Sequence, residues 1–153
     1  MPTYKPKFDN TDVKPCLDLA EKWQNWKPSK PSPTTKEFKD LKTLQKMVYL
    51  STLLEGKLLS NVTLTKMEKV NNFDDEHHQV RGLWFDIATK HRYEPSFKPS
   101  LAFVQEFASK PKLVAPLLRQ LLKWDGEKKQ QVHRMMKTFK NAPEINQLVI
   151  GNM

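Results

Sequence analysis

The chain has 153 residues, enough for one domain of ordinary size with a core that needs no staples. The hydrophobic fraction is 38%, yet the chain holds four Trp, eight Phe and three Tyr with only four Gly, a composition that suits a compact helical domain better than a disordered tail or a Gly-rich β chain. One cysteine, Cys16, excludes an internal disulfide, and a four-ligand zinc set would rest almost wholly on four scattered histidines.

No run approaches the roughly 18 to 20 apolar residues that span a bilayer, and the polar start has no signal-peptide core. The expectation is a protein of the reducing cytoplasm that does not engage membranes. The net charge of +9 is unevenly spread: residues 1–42 sum to +3, 43–109 to zero, 110–140 to +7 and 141–153 to −1. The basic late segment suits an anionic partner without choosing one.

Along the chain, residues 1–11 read as an extended arm, with Pro2 and Pro6 among lysines. Asp12 is placed to cap a helix whose Val13, Cys16, Leu17, Ala20 and Trp23 share a face, with Pro15 tolerated in the first turn. Residues 27–33 (Lys-Pro-Ser-Lys-Pro-Ser-Pro) form a surface connector, not a domain boundary, so a single domain over 1–153 is expected.

Thr34 and Glu37 have capping-box spacing ahead of Phe38 and Leu41. Leu44, Met47, Val48, Leu50 and Leu54 make the next apolar face, with Gly56 as its stop. Thr63 is expected to cap a helix through Leu64, Met67 and Val70, and Asp74 one through Val80, Leu83, Trp84, Ile87 and Ala88, with His91 and Arg92 at its C-terminus. Further faces follow through Leu101, Val104 and Phe107, through Val114, Leu117, Leu118, Leu121 and Trp124, through Val132, Met135, Met136 and Phe139, and through Ile145, Leu148 and Val149. These spacings predict an all-α chain of eight or nine short helices, stacked in two layers of helical hairpins.

No catalytic apparatus is visible. His77 and His78 are adjacent, so on a helix they point about 100° apart, and no His-Glu-x-x-His occurs. They read as solvated first-turn residues, His91 and His133 as surface groups, and Cys16 as a buried inert thiol. There is no Gly-rich phosphate loop and no Gly-x-Ser-x-Gly elbow. The Trp and Met residues recur at helical spacing and read as core, Trp26 least clearly. The stretch Lys110 to Lys140 reads first as the wet faces of two helices. Lys110 and Lys112 stand out because they immediately precede a helix, where lysine charge and free N–H groups converge on an anion.

As a set, the residues resemble the C-terminal helical domain of the leukotriene A(4) hydrolase and aminopeptidase B family. The resemblance rests on Lys5-Pro6-Lys7-Phe8-Asp9, Cys16 to Trp23, Phe38 to Leu44, Asn72-Phe73 and Val80-Arg81-Gly82-Leu83-Trp84. It continues through Lys110-Pro111-Lys112, Pro116-Leu117, Trp124-Asp125 and Pro143 to Gly151, nearly the whole chain. It implies an all-α, HEAT- or armadillo-like right-handed stack that follows a β domain and a thermolysin-like zinc domain. In such enzymes the zinc ligands and general base belong to the catalytic domain, which removes N-terminal residues from peptides and in some members opens a lipid epoxide.

On this resemblance the chain is an accessory domain, fragment or free-standing relative without its own metal, cofactor or catalytic residue. Its partners are the catalytic domain, which carries the zinc, and a peptide substrate's C-terminus. The family holds that carboxylate with a basic residue, x, then lysine, which fall on Lys110 and Lys112. Lysine replaces the family's arginine at 110, keeping the charge and losing the planar bidentate fork. The alternative is a free-standing α-solenoid that binds protein or nucleic acid without catalysis, any nucleic-acid binding being weak, sequence-independent and salt-sensitive.

Overall fold

The computed structural model describes residues 10–150, with side chains from 13 onwards. All regular structure among these residues is helical, in nine α-helices and two short 3₁₀ turns. They are α1 Asn10–Asn25, α2 Thr35–Lys39, α3 Thr43–Glu55, α4 Asn61–Asn71, a 3₁₀ turn Phe73–Asp75, α5 His78–Lys90, a second 3₁₀ turn Glu94–Ser96, α6 Phe97–Glu106, α7 Pro111–Leu121, α8 Gly126–Lys137 and α9 Ala142–Ile150. By Cα proximity the chain falls into two compact units, Met1–Ile87 and Ala88–Met153.

In the first unit α1 packs on α3 and α2 on α4. Cys16, Leu19, Ala20 and Trp23 give α1 its buried face, whereas Leu17, expected on that face, is 46% exposed. The helix begins by Asn10, two residues ahead of the expected cap at Asp12. Asn10 and Thr11 of the expected arm are therefore helical, and the rest of the arm lies outside the described residues. Pro15 consequently sits inside the helix rather than in its first turn, where it cannot donate to the carbonyl four residues back.

The connector after α1 is closed by Trp26, whose indole N–H donates to the Lys30 carbonyl at 2.9 Å while its ring meets Trp23 edge-on, centroids 5.8 Å apart. The capping box opening α2 forms as the spacing predicts: the Glu37 N–H donates to Thr34 Oγ1, and the Thr34 N–H to the Glu37 carboxylate.

Two other caps differ from expectation. Ser60, not Thr63, caps α4 and accepts the Thr63 N–H at 3.1 Å, since α4 starts a turn earlier and buries Thr63. Asp74 lies in the 3₁₀ turn Phe73–Asp75 and does not cap α5. His77 stands there instead: its Nδ1 accepts the Gln79 N–H at 3.1 Å, and its carbonyl accepts from Val80 and Arg81.

The face of α3 is rotated from the one its apolar spacing suggests. Leu44 is 43% exposed, and the buried positions are Lys46, Tyr49, Leu50 and Leu53. Polar tips are buried there because each meets a partner. Asn71 donates to the Tyr49 hydroxyl at 3.0 Å, and Lys46 meets Glu76. Burial pushes the Tyr49 phenol well above its ordinary pKa, the Asn71 donor opposing this only in part.

In the second unit α7 packs on α9, α6 and α8, and α8 also packs on α9. Val114, Leu117, Leu118, Leu121 and Trp124 are all buried, as are Val132, Met135, Met136, Ile145 and Val149. On α6 the buried set is Phe97, Ser100, Phe103 and Val104, so Leu101 and Phe107 are only half-buried. The Trp124 indole donates to the Thr89 carbonyl at 3.2 Å, and its ring packs on Phe97 at 5.0 Å. α5 ends with Arg92 in the left-handed region (φ 54), Tyr93 N–H bonding the Ala88 carbonyl and Arg92 N–H that of Thr89. This is a Schellman close made without glycine.

Candidate functional site

Lys110 and Lys112 flank Pro111 at the start of α7. Lys110 is the residue before the helix, Pro111 its first residue and Lys112 its second. Pro111 is pre-set for a first helical turn, which needs no N–H from it. The strongly amphipathic run Val114, Ala115, Leu117, Leu118 and Leu121 then fixes the helix's roll by burying one face. Both lysines are left exposed on the other side.

The segment carrying them is held at both ends. The Lys110 N–H donates to the Phe107 carbonyl at 2.9 Å, and Leu113 and Val114 N–H groups return to the Lys110 carbonyl. From a distant part of the sequence, the Asn141 side-chain amide donates to the Ala108 carbonyl at 2.9 Å. Neither lysine takes part in an ion pair among the described residues. Two solvated cations on a tethered segment can receive an anion without first breaking an internal partner.

The histidines do not assemble with them. His77 and His78 lie ring against ring, centroids 4.1 Å apart, at the start of α5. His77 is exposed, His78 and His91 are half-buried, and His133 is exposed on α8. Cys16 is buried, as expected. Among the described residues no three His, Cys, Asp or Glu side chains group as a metal set. No helix of the described residues is long and apolar enough to cross a membrane.

One polar cluster in the first unit left no trace in the local spacing. Glu76, at the end of the first 3₁₀ turn, receives Lys39 Nζ at 2.5 Å and Lys46 Nζ at 2.8 Å. Lys39 also donates to the Asn72 carbonyl, and both ammonium groups lie over the Phe38 ring, 5.2 and 5.0 Å from its centroid. Burial alone would push the Glu76 carboxyl up; the two lysine hydrogen bonds outweigh it and hold the carboxyl below its ordinary value. The partners are 30 and 37 residues away in sequence. This cluster joins the turn to α2 and α3 with every charge occupied, so its role is structural.

A groove of about 770 Å³ lies in the first unit along Pro15, Leu19 and Leu41, rimmed by the Lys14–Asp18 and Lys22–Glu37 ion pairs. These charges are already paired, whereas Lys110 and Lys112 form no ion pair among the described residues.

The geometry thus defines a helical module that presents cations at a helix start. Residues 41–147 match the family model described as leukotriene A4 hydrolase, C-terminal, and the chain belongs to that family. It is 26% identical over 153 residues to leukotriene A-4 hydrolase of Xenopus laevis, an alignment covering 99% of this chain and 25% of that protein. The chain spans about a quarter of the length of this relative.

Proposed function

We propose that this chain is the accessory C-terminal domain of a zinc aminopeptidase of the leukotriene A4 hydrolase family. In this reading its helices form a HEAT- or armadillo-like right-handed stack. It supplies one wall of a peptide cleft, with the zinc and general base on a companion catalytic domain in the cytoplasm. Lys110 and Lys112 bind the free carboxylate of the substrate. The carrying observation is their position on either side of Pro111, exposed and without ion-pair partners among the described residues, in a chain of this family.

Mechanistically the domain works on the substrate end remote from the reacting bond. An ammonium on a carboxylate gives a charge-assisted hydrogen bond, about 1.5 to 3 kcal/mol, and a contact of this kind, unchanged between ground and transition states, lowers KM without raising kcat. The two lysines act as point charges; at 110 an arginine would add a planar fork matched to carboxylate.

The test is made in the protein that joins this domain to its catalytic companion. Lys112→Ala, Lys110→Ala and Lys110→Arg are compared on tripeptides with free and amidated C-termini. Each alanine should weaken the preference for the free acid through KM, and arginine at 110 should strengthen it. Three variants that discriminate acid from amide as the parent does would remove the assignment. If no His-Glu-x-x-His domain accompanies the chain, the alternative of a non-catalytic binding module takes its place.

A further inference from the structure

The carboxylate segment has a neighbour that the family pattern does not assign. The hydrogen bond from Asn141 to the Ala108 carbonyl spans 33 residues and fastens the α8–α9 connection to the α6–α7 connection. Lys110 lies two residues beyond Ala108, and Lys140 lies beside Asn141. Residues 107–112 and 137–143 together contain Lys110, Lys112, Lys137 and Lys140 and no acidic residue.

All four lysines are exposed, and none takes part in an ion pair among the described residues. The nearest acids in sequence, Glu106 and Glu144, fall outside the two segments, on α6 and in the first turn of α9, and they too form no ion pair there. The four lysines outnumber these two acids, so a single bound carboxylate leaves positive charge over. A ligand with a second carboxylate close to the first relieves more of it.

We infer that the α8–α9 connection forms a second anion subsite beside Lys110 and Lys112, with Lys140 as its principal charge, so that the favoured peptides end in aspartate or glutamate. The inference rests on the carboxylate reading above and adds a side-chain preference to it. The terminal carboxylate meets Lys110 and Lys112, and the side-chain carboxylate meets Lys140. Exposed charge pairs are weak, so the preference is modest, about two- to fivefold in Kd, and it shrinks with added salt.

The experiment titrates the isotope-labelled chain by NMR with Ala-Ala-Glu, Ala-Ala-Gln and Ala-Ala-Gln amide, in the wild type and in Lys140→Ala. The expected order is Glu acid tighter than Gln acid, tighter than Gln amide. In Lys140→Ala the Glu over Gln ratio should fall to about one while acid over amide persists. Equal binding of the Glu and Gln acids, both above the amide, overturns the second subsite and leaves the carboxylate reading standing. A Glu over Gln ratio that survives Lys140→Ala overturns the assignment to Lys140. Loss of any acid over amide preference in the wild type overturns both.

Discussion

Replacing Glu76 by Gln strips the charge from the carboxylate that holds Lys39 and Lys46 while keeping side-chain size. In the wild type the Glu76 side chain is only 8% exposed, Lys46 11% and Lys39 33%. Removing one member of a fully buried ion pair costs about 3 to 5 kcal/mol, because the survivor stays charged and out of water. Here Lys39 can turn to solvent and keeps its bond to the Asn72 carbonyl, so most of the loss falls on Lys46, and about 2 to 3 kcal/mol is expected. For a chain of this size that is a fall in Tm of roughly 4 to 12 °C.

Urea and thermal unfolding followed by circular dichroism read the change. Tryptophan fluorescence adds a local probe, because the Trp84 ring stacks on Phe73, 4.7 Å away, at the start of the same turn. The pH dependence has a fixed sign. The carboxyl of Glu76 is lowered from its ordinary value of 4.5 in the folded protein, so its contribution is complete above the unfolded pKa and is lost as pH falls through the folded one. Wild type and Glu76→Gln should therefore differ fully at neutral pH and converge as pH falls through the lowered carboxyl pKa. The double variant Glu76→Gln with Lys46→Met should recover part of the loss, since it no longer buries an unpartnered ammonium. A loss under about 0.5 kcal/mol for Glu76→Gln, no more than that of an exposed ion pair such as Lys14–Asp18, would refute the argument.

Thr34→Ala removes the capping box of α2 and should cost about 1 kcal/mol by urea denaturation; Thr34→Ser should cost much less. Gly126 opens α8 at φ +63 with no atom within 4 Å of an added Cβ, so Gly126→Ala should cost about 1 to 2 kcal/mol through backbone strain alone, and an unchanged midpoint would contradict this. The Ser100 hydroxyl is buried without a hydrogen-bond partner, so Ser100→Ala should be neutral or stabilising by up to about 1 kcal/mol, read from the same midpoint. In the protein that joins this domain to the proposed catalytic companion, Lys112→Ala should raise KM for free-acid tripeptides by roughly tenfold, equivalent to about 1.4 kcal/mol, with kcat unchanged.

The helical class, the capping box at Thr34 and the buried faces of α7 and α8 were legible in the chain because each depends on residues within a turn or two of one another. The apolar stripe from Val114 to Leu121 and the N1 proline that places Lys110 and Lys112 at a helix start are of this kind. Family membership was legible as well, since it rests on residue order over most of the chain. Tertiary structure decided what depends on distant partners. The roll of α3 follows Lys46 and Tyr49, whose burial is tolerable only beside Glu76 and Asn71, 30 and 22 residues on; apolar periodicity weighs their polar tips as solvent-seeking and turns Leu44 inward instead. The cap of α5 passes from Asp74 to His77 because the intervening residues fold as a 3₁₀ turn that sets Phe73 against Phe38 and Trp84. In the same way the sequence marks Lys110 and Lys112 as cations before a helix, but only the Asn141 hydrogen bond brings Lys140 to the same end of the unit, a contact between segments that no local pattern encodes.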